Sequence, residues 1–186
     1  MPTPWTPTKP QLLAAEGKSV PDLIRPNLKI LFCGINPGLY SAAVGHHFAR
    51  PGNRFWPALH AAGFTSHQLS PFDERQLLDL GCGITNIVGR ATATADLLTL
   101  EELRKGGQKL RRKVLRYRPR ILAILGVGAY RTAFAARDAR LGLQELSIGP
   151  TRLWVLPNPS GLNAHYQPTA LSTLFKELKT FAEAQE

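Results

Sequence analysis

Polar residues follow two short apolar runs, and their types suit contacts with a ligand. Residues 28–33 lead directly into Gly34-Ile-Asn-Pro-Gly-Leu39, and residues 152–156 lead into Pro157-Asn-Pro-Ser-Gly-Leu162. Glycine and proline make tight, rigid turns, which fix the side chain of Asn36 at the end of its run. Asn–Pro is also a common turn dipeptide, so either segment alone is compatible with a plain loop.

The elements that position these loops are predicted from two alternating periods. Residues 28–33, 121–125 and 152–156 are predicted to be buried strands, and residues 144–148 an edge strand. A helix is predicted from an apolar stripe with Thr99 as N-cap and Glu102 completing a capping box; the stripe comprises Leu100, Leu103, Leu110, Val114 and Tyr117. A second stripe predicts a C-terminal helix; it comprises Leu171, Leu174, Leu178 and Phe181.

Strands separated by helices predict an α/β fold of three layers, α/β/α, around a mostly parallel sheet. Ligands of such folds bind at the carboxyl ends of the strands. Residues 34–39 and 157–162 leave strands at that edge, so we expect chemistry there. Residues 1–27 contain six prolines and are predicted to form a loosely ordered arm with a short helical turn near residues 11–16. Residues 28–186 are predicted to form the domain.

The charge indicates an anionic partner. The chain has 23 Lys and Arg against 13 Asp and Glu, a net charge of +10, which favours nucleic acid or a membrane surface. The apolar runs are far shorter than the roughly 20 residues that span a bilayer, and no secretory signal is predicted. Cys33 and Cys82 form no C-x-x-C pair, so no disulfide framework, zinc site or iron–sulfur cluster is expected. These features predict a cytosolic protein.

Three motifs together resemble the mismatch-specific uracil and thymine DNA glycosylases. They are Gly34-Ile-Asn-Pro-Gly38, Phe48 with Pro51-Gly-Asn-Arg-Phe-Trp56, and Asn158-Pro-Ser-Gly-Leu162, in the family's order and spacing. The resemblance also includes Gly83-Ile-Thr-Asn86 and covers residues 28–181. It implies the uracil-DNA glycosylase fold and a monofunctional enzyme that flips uracil from G·U mismatches in double-stranded DNA and hydrolyses its N-glycosidic bond. Thymine and ethenocytosine are further candidate substrates.

The resemblance assigns roles to single residues. Asn36 positions the attacking water, the backbone N–H of Ile35 holds the oxygen of the departing base, and Phe48 stacks on it. Asn158 stands where faster relatives carry histidine, and its role is either base contact or loop capping. Leu162 is the wedge that fills the space left by the flipped nucleotide, with Gly161 and Asn163 beside it.

The remaining expectations concern contacts with DNA and a candidate catalytic base. Ser41, Arg54, residues 126–128 and Ser160 are candidate donors to phosphates, Arg50 is a candidate for gripping the opposite strand, and the basic helix face 105–116 is either a phosphate surface or a solvated face. Asp96, in the loop before that helix, is either a cap or a carboxylate near Asn36 that adds a catalytic base. No cofactor or metal is expected. The protein is expected to be a monomer that associates with the nucleoid through DNA.

Two other functions fit parts of this pattern. A nucleotide-binding α/β enzyme is disfavoured because neither G-x-G-x-x-G nor G-x-x-x-x-G-K-[ST] follows a strand. A DNA-binding protein that senses mismatches without catalysis is disfavoured by the presence of Asn36 and Phe48. Release of free uracil from a G·U duplex would distinguish a glycosylase from both of these alternatives, because only the glycosylase is expected to release it.

Overall fold

A five-stranded sheet organises the chain. The computed structural model describes residues 5–185, in which the strands have the order β2-β1-β3-β5-β4. All neighbours are parallel except β4, which pairs antiparallel with β5 at one edge. The strands are β1 (Ile30–Gly34), β2 (Cys82–Asn86), β3 (Ile121–Leu125), β4 (Gly142–Ile148) and β5 (Thr151–Leu156). The predicted α/β fold and the edge strand are therefore confirmed.

Seven helices cover this sheet in the described part of the chain. They are α1 (Lys9–Leu13), α2 (Leu39–Val44), α3 (Phe55–Ala61), α4 (Gln76–Asp79), α5 (Leu100–Tyr117), α6 (Val127–Ala133) and α7 (Pro168–Glu183), with 3-10 turns at Pro71–Asp73 and Ala95–Leu97. The capping box predicted for α5 is present, since the Thr99 hydroxyl accepts from Glu102 N and the Glu102 carboxylate accepts from Thr99 N.

Two hydrophobic cores lie on opposite faces of the sheet. One packs α3 and α7 against Phe32, and the other packs α5 and α6 against Leu31. Alternate residues of β1 point to opposite cores because side chains alternate along a strand. Burial of both faces explains why β1 and β3 are continuous apolar runs, with every residue of each strand buried. Burial also raises the pKa of the Cys33 and Cys82 thiols, that of Cys82 to about 12.

The N-terminal arm is packed more closely than expected. Ala15, Val20 and Leu23 are buried, and Leu23 exchanges two backbone hydrogen bonds with Ile84 beside β2. The expectation of loose order is therefore wrong for residues 15–23. The short helical turn expected near residues 11–16 lies slightly earlier, as α1. The division of the chain at residue 28 stays a prediction, and residues 1–4 of the arm lie outside the described residues.

Candidate active site

A cavity of about 170 Å³ opens at the carboxyl ends of the parallel strands, where ligands of such sheets bind. This volume is well below the roughly 300–1,000 Å³ of pockets for drug-sized ligands, so the cavity suits one small group such as a single base. Most of the predicted site residues line it together; they are Ile35, Asn36, Ser41, Phe48, Arg50, Asn158, Ser160 and Leu162.

The amide of Asn36 has a defined orientation. Its Nδ2 donates to the backbone oxygen of Arg90 at 2.9 Å and to the Thr92 hydroxyl at 2.7 Å. The Thr92 hydroxyl in turn donates to Thr94 O at 2.7 Å, so its oxygen is free to accept from Asn36. The reverse orientation would set two acceptors against each other. Both amide protons are thus used, and Oδ1 accepts from none of the residues in 5–185.

The loop that contains Arg90 and Thr92, the two hydrogen-bond partners of Asn36, is itself fixed from two sides. The Arg90 guanidinium pairs with Glu102 at the start of α5, at 2.5 and 3.1 Å, and this contact lowers the pKa of the Glu102 carboxyl to about 2. Next to it, Ala91 exchanges backbone hydrogen bonds with Gly17 and Lys18 of the arm. The orientation of Asn36 therefore depends on α5 and on the arm.

Phe48 adopts a strained backbone that sets its ring in the cavity. Its φ is +52°, a left-handed value that is unusual for a bulky side chain and costs on the order of 1–3 kcal/mol. The ring stacks on Phe55 at a centroid distance of 4.2 Å. Such strain persists only where the surroundings hold it, and residues held in this way concentrate at functional sites.

Side chains on both flanks hold the backbone at Phe48. The carboxylate of Glu74 accepts from His47 N at 2.9 Å, and the hydroxyl of Ser41 accepts from Ala49 N at 3.0 Å. The His47 ring bonds to Pro21 O of the arm at 2.9 Å. A carbonyl only accepts, so Nε2 carries the proton, and burial lowers the pKa of this histidine. Ser41 thus shapes the cavity, and its contact with a phosphate stays a prediction.

Gly34 allows the floor of the cavity to close. A Cβ at this position would lie 2.5 Å from Asn86 Oδ1 and 3.3 Å from Phe48 Cζ, so any larger residue would require these two side chains to move. Asn86 ends β2 and lines the cavity. Ile35 lines it as well, and its carbonyl accepts from Val88 N at 2.9 Å, while the predicted contact of its N–H with a base remains a prediction.

Leu162 projects from the loop that follows β5. Its side chain is 67% exposed, the most exposed large apolar side chain that the structure describes, and it also lines the cavity. Its N–H donates to the Ser160 hydroxyl at 3.2 Å, and Ser160 N donates to Asn158 Oδ1 at 3.0 Å. Asn158 therefore caps the loop with its oxygen, and its Nδ2 remains available to donate to a bound nucleobase.

Arg54 holds this loop from beneath. Its guanidinium donates to the backbone oxygens of Asn163, Tyr166 and Gly161 at 2.8, 2.7 and 3.3 Å. These bonds direct its guanidinium to the loop, and the contact of Arg54 with DNA stays a prediction. Gly161 also lies so close to Gly52 that a Cβ would approach the Gly52 oxygen to 2.5 Å. Asn163 bonds within the loop, through its side chain to Asn158 O and His165 N.

Two charged candidates lie at the rim. Arg50 is exposed, lines the cavity and shares a neighbouring groove of about 210 Å³ with Leu162. Asp96 is exposed in the 3-10 turn directly after residues 93–95, which line the cavity, but its own side chain is not in the lining. The structure therefore places Asp96 at the mouth and does not bring it beside Asn36.

Sequence reasoning missed Thr92, Asn86 and His47, which all line the cavity. Asn86 ends a strand that was not predicted, and recognising that strand would have put it at the same edge as Asn36. Thr92 and His47 lie in loops without a periodic pattern, so no local signal identifies them. No group of three or more His, Cys, Asp or Glu that could hold a metal ion occurs within residues 5–185.

The arrangement suits the hydrolysis of a bond to a small planar group. A fixed amide oxygen is available to accept from a water, an aromatic face lies in the same cavity, and an exposed apolar side chain stands at its mouth. The described helices include none that is long and apolar enough to cross a membrane. The surface charge and the site both fit a nucleic acid as the polymer that carries this group.

Comparison with known families identifies the class. The family model of the Uracil DNA glycosylase superfamily matches residues 21–180. The chain therefore belongs to the uracil-DNA glycosylase superfamily, and it is a DNA glycosylase, a hydrolase of base excision repair that acts on DNA. The matched range begins within the arm, at the residues that contact the site loops.

Proposed function

We propose that this protein is a monofunctional, mismatch-specific uracil-DNA glycosylase that flips uracil out of a G·U pair and hydrolyses its N-glycosidic bond. The superfamily supports glycosylase activity in general, and the finer assignment rests on the motifs and on the cavity. We expect it to act as a monomer and to meet its substrate as double-stranded DNA.

The observation that carries the proposal is the orientation of Asn36. With both Nδ2 protons donated to Arg90 O and Thr92 Oγ1, Oδ1 is left to accept from a water in the cavity. That water forms a bond to C1′ of the deoxyribose while the C1′–N1 bond breaks, and the base departs with the bonding electrons. The proton that the water loses is taken up by solvent and returns to the departed base, so the products are an abasic sugar and neutral uracil. A neutral amide orients the water but is a poor base, so the reaction relies on a good leaving group such as the uracil anion.

The cavity supports the binding of one pyrimidine. The Phe48 ring offers a stacking face, and stacking on an aromatic ring contributes about 1–3 kcal/mol with little dependence on the base. Asn158 Nδ2 and the Ile35 N–H are the proposed donors to the base oxygens, which stabilise charge as it develops. Because stacking is tolerant, thymine and ethenocytosine are proposed as poorer substrates.

Leu162 is the proposed wedge. An apolar side chain so exposed to water gains from entering the base stack, and this offsets the few kcal/mol that extrusion of a nucleotide costs. Arg54 keeps the loop in place from below, and Arg50 stands beside Leu162 for a contact with the opposite strand.

The test is the release of free base from a panel of matched duplexes. With the same flanking sequence, we expect uracil release from G·U to exceed that from A·U and from single strands, with slower release of thymine from G·T. Equal rates on G·U and A·U would contradict mismatch specificity while leaving glycosylase activity intact. Binding to G·U without release of any base would favour a protein that only senses mismatches.

A further inference from the structure

A cluster of arginines lies at the end of the sheet opposite to the cavity. These amino-edge arginines precede β1 or β3, lie at the start of β5 or lie at the end of α5, and all are exposed; they are Arg25, Arg116, Arg118, Arg120 and Arg152. The cavity lies at the carboxyl ends of the same strands. The cluster is therefore no part of the site described above.

Backbone hydrogen bonds bring the segments of this cluster together. Arg152 N donates to Arg120 O at 2.9 Å, and Arg120 N donates to Leu28 O at 2.8 Å. Asn27 N donates to Tyr117 O at 2.8 Å. Residues 25–28, 116–120 and 152 therefore lie next to one another, although they are distant in the chain.

The amino-edge arginines have no acidic partners within the part of the chain that the structure describes. No Asp or Glu oxygen lies within 4.0 Å of their nitrogens, whereas other basic residues are paired, such as Lys105 with Glu101 and Lys113 with Asp22. Arg116 lies over the Tyr117 ring at 5.5 Å and Arg152 over Phe181 at 5.9 Å. The rings support the guanidinium groups while their N–H groups remain available to an anion.

Arg118 supports a role for this charge. It caps the C-terminus of α5 with φ of +49°, a left-handed position where glycine is the usual residue because it bears no strain there. An arginine at this position places a positive charge there, although its backbone is strained in a way that glycine would avoid. Its neighbours Arg116 and Arg120 add charge on the same segment.

The two ends of the sheet face in opposite directions, so one short, straight segment of DNA does not contact both. Strands of five residues such as β1 and β3 separate the edges by about 16 Å at roughly 3.3 Å per residue, and the edges face opposite ways. We propose that the amino-edge arginines bind the phosphate backbone of a second nucleic acid segment, so that one molecule holds two segments at once. Guanidinium groups match the planar, bidentate geometry of phosphate oxygens.

The test measures bridging between two undamaged 20-base-pair duplexes, one with a donor dye and one with an acceptor dye. Wild-type protein at low salt is expected to produce energy transfer between them. The variant R116S/R118S/R120S/R152S should reduce this transfer at least fivefold. The control K9S/R104S/R137S/R140S removes the same charge from exposed positions elsewhere and should retain it.

Uracil excision from a short duplex is measured alongside and should be unchanged in the amino-edge variant. Because Arg152 packs on Phe181, its substitution also removes a packing contact. The variant R116S/R118S/R120S keeps Arg152 and repeats the test with that contact intact. Equal loss of transfer in the control and the amino-edge variant, or retention in both, would overturn the proposal. So would stronger competition by a glutamate-rich peptide than by a duplex of equal charge, because the partner would then be an acidic protein.

Discussion

The hydroxyl of Thr92 and the backbone oxygen of Arg90 together fix which atom of Asn36 faces the cavity. Thr92 is buried and accepts one amide proton of Asn36 while donating its own proton to Thr94 O. Neither residue carries a charge, so the orientation depends on hydrogen bonds alone. Side chains that act through another residue in this way position the chemistry without taking part in it.

Thr92→Val should therefore slow excision without weakening DNA binding. The substitution keeps the shape but leaves an amide proton of Asn36 unpaired, which costs about 1–3 kcal/mol for a buried donor, and only Arg90 O is then left to hold the amide. We expect a single-turnover rate about tenfold lower with an unchanged Kd for a G·U duplex. Thr92→Ser restores the hydroxyl and should recover the rate. Equal rates for Val and Ser would contradict this role.

Asp96 tests whether a carboxylate at the cavity mouth assists the reaction. If it acts as a base, Asp96→Asn should slow release of thymine, a poorer leaving group, more than release of uracil. An unchanged rate on every substrate would discard the catalytic role and leave Asp96 as an exposed residue of the loop.

The loop after β5 combines an exposed apolar tip with a rigid base. Leu162 is exposed while Arg54 ties the loop to the start of α3 through three backbone oxygens. Leu162→Ala should impair excision from duplexes at least tenfold and leave single-stranded uracil nearly unaffected, because only a duplex has a stack to fill. Parallel single-turnover assays on the two substrates measure this ratio, and a similar loss on both would argue against a wedge.

The sequence predicts four of the five strands and the two longest helices, and it misses most of the short helices and the connecting loops. β1, β3 and α5 follow from apolar patterns that depend only on local spacing, and Thr99 with Glu102 predicts where α5 begins. β2 was missed because Cys82-Gly-Ile-Thr-Asn86 carries a glycine and two polar residues in a strand of five. The site motifs predict Asn36, Phe48 and Leu162 together, whereas the bonds of Arg54 to the loop could not be predicted because its partners are backbone oxygens over 100 residues away.

At the scale of the whole molecule, the arm joins parts that are distant in the chain. Pro21 O holds His47, Asp22 bonds to Thr85 and Lys113, and Gly17 and Lys18 bond to Ala91. The arm thus contacts both the segment that holds Phe48 and the loop that holds Asn36. We therefore expect both the stability of the fold and the geometry of the site to depend on the arm.

The buried His47 should make the fold less stable in mild acid. Its pKa is lowered in the native state from the ordinary value of 6.5, mainly by burial. The unfolded chain therefore takes up a proton below about pH 6.5 that the native state refuses, so the free energy of unfolding falls as the pH falls. Urea unfolding at pH 7 and pH 5 measures this change. His47→Gln should reduce the difference between the two pH values, and an unaltered difference would contradict it.

The central claim is that Asn36 Oδ1 positions the attacking water in a cavity that binds one flipped base. Its most direct test is Asn36→Ala, with single-turnover uracil release and duplex affinity measured on the same G·U substrate. We expect release to fall by at least a hundredfold while Kd changes less than threefold, because the side chain contacts water and not the DNA backbone. Release at the wild-type rate, or an equal loss of rate and affinity, would contradict the account.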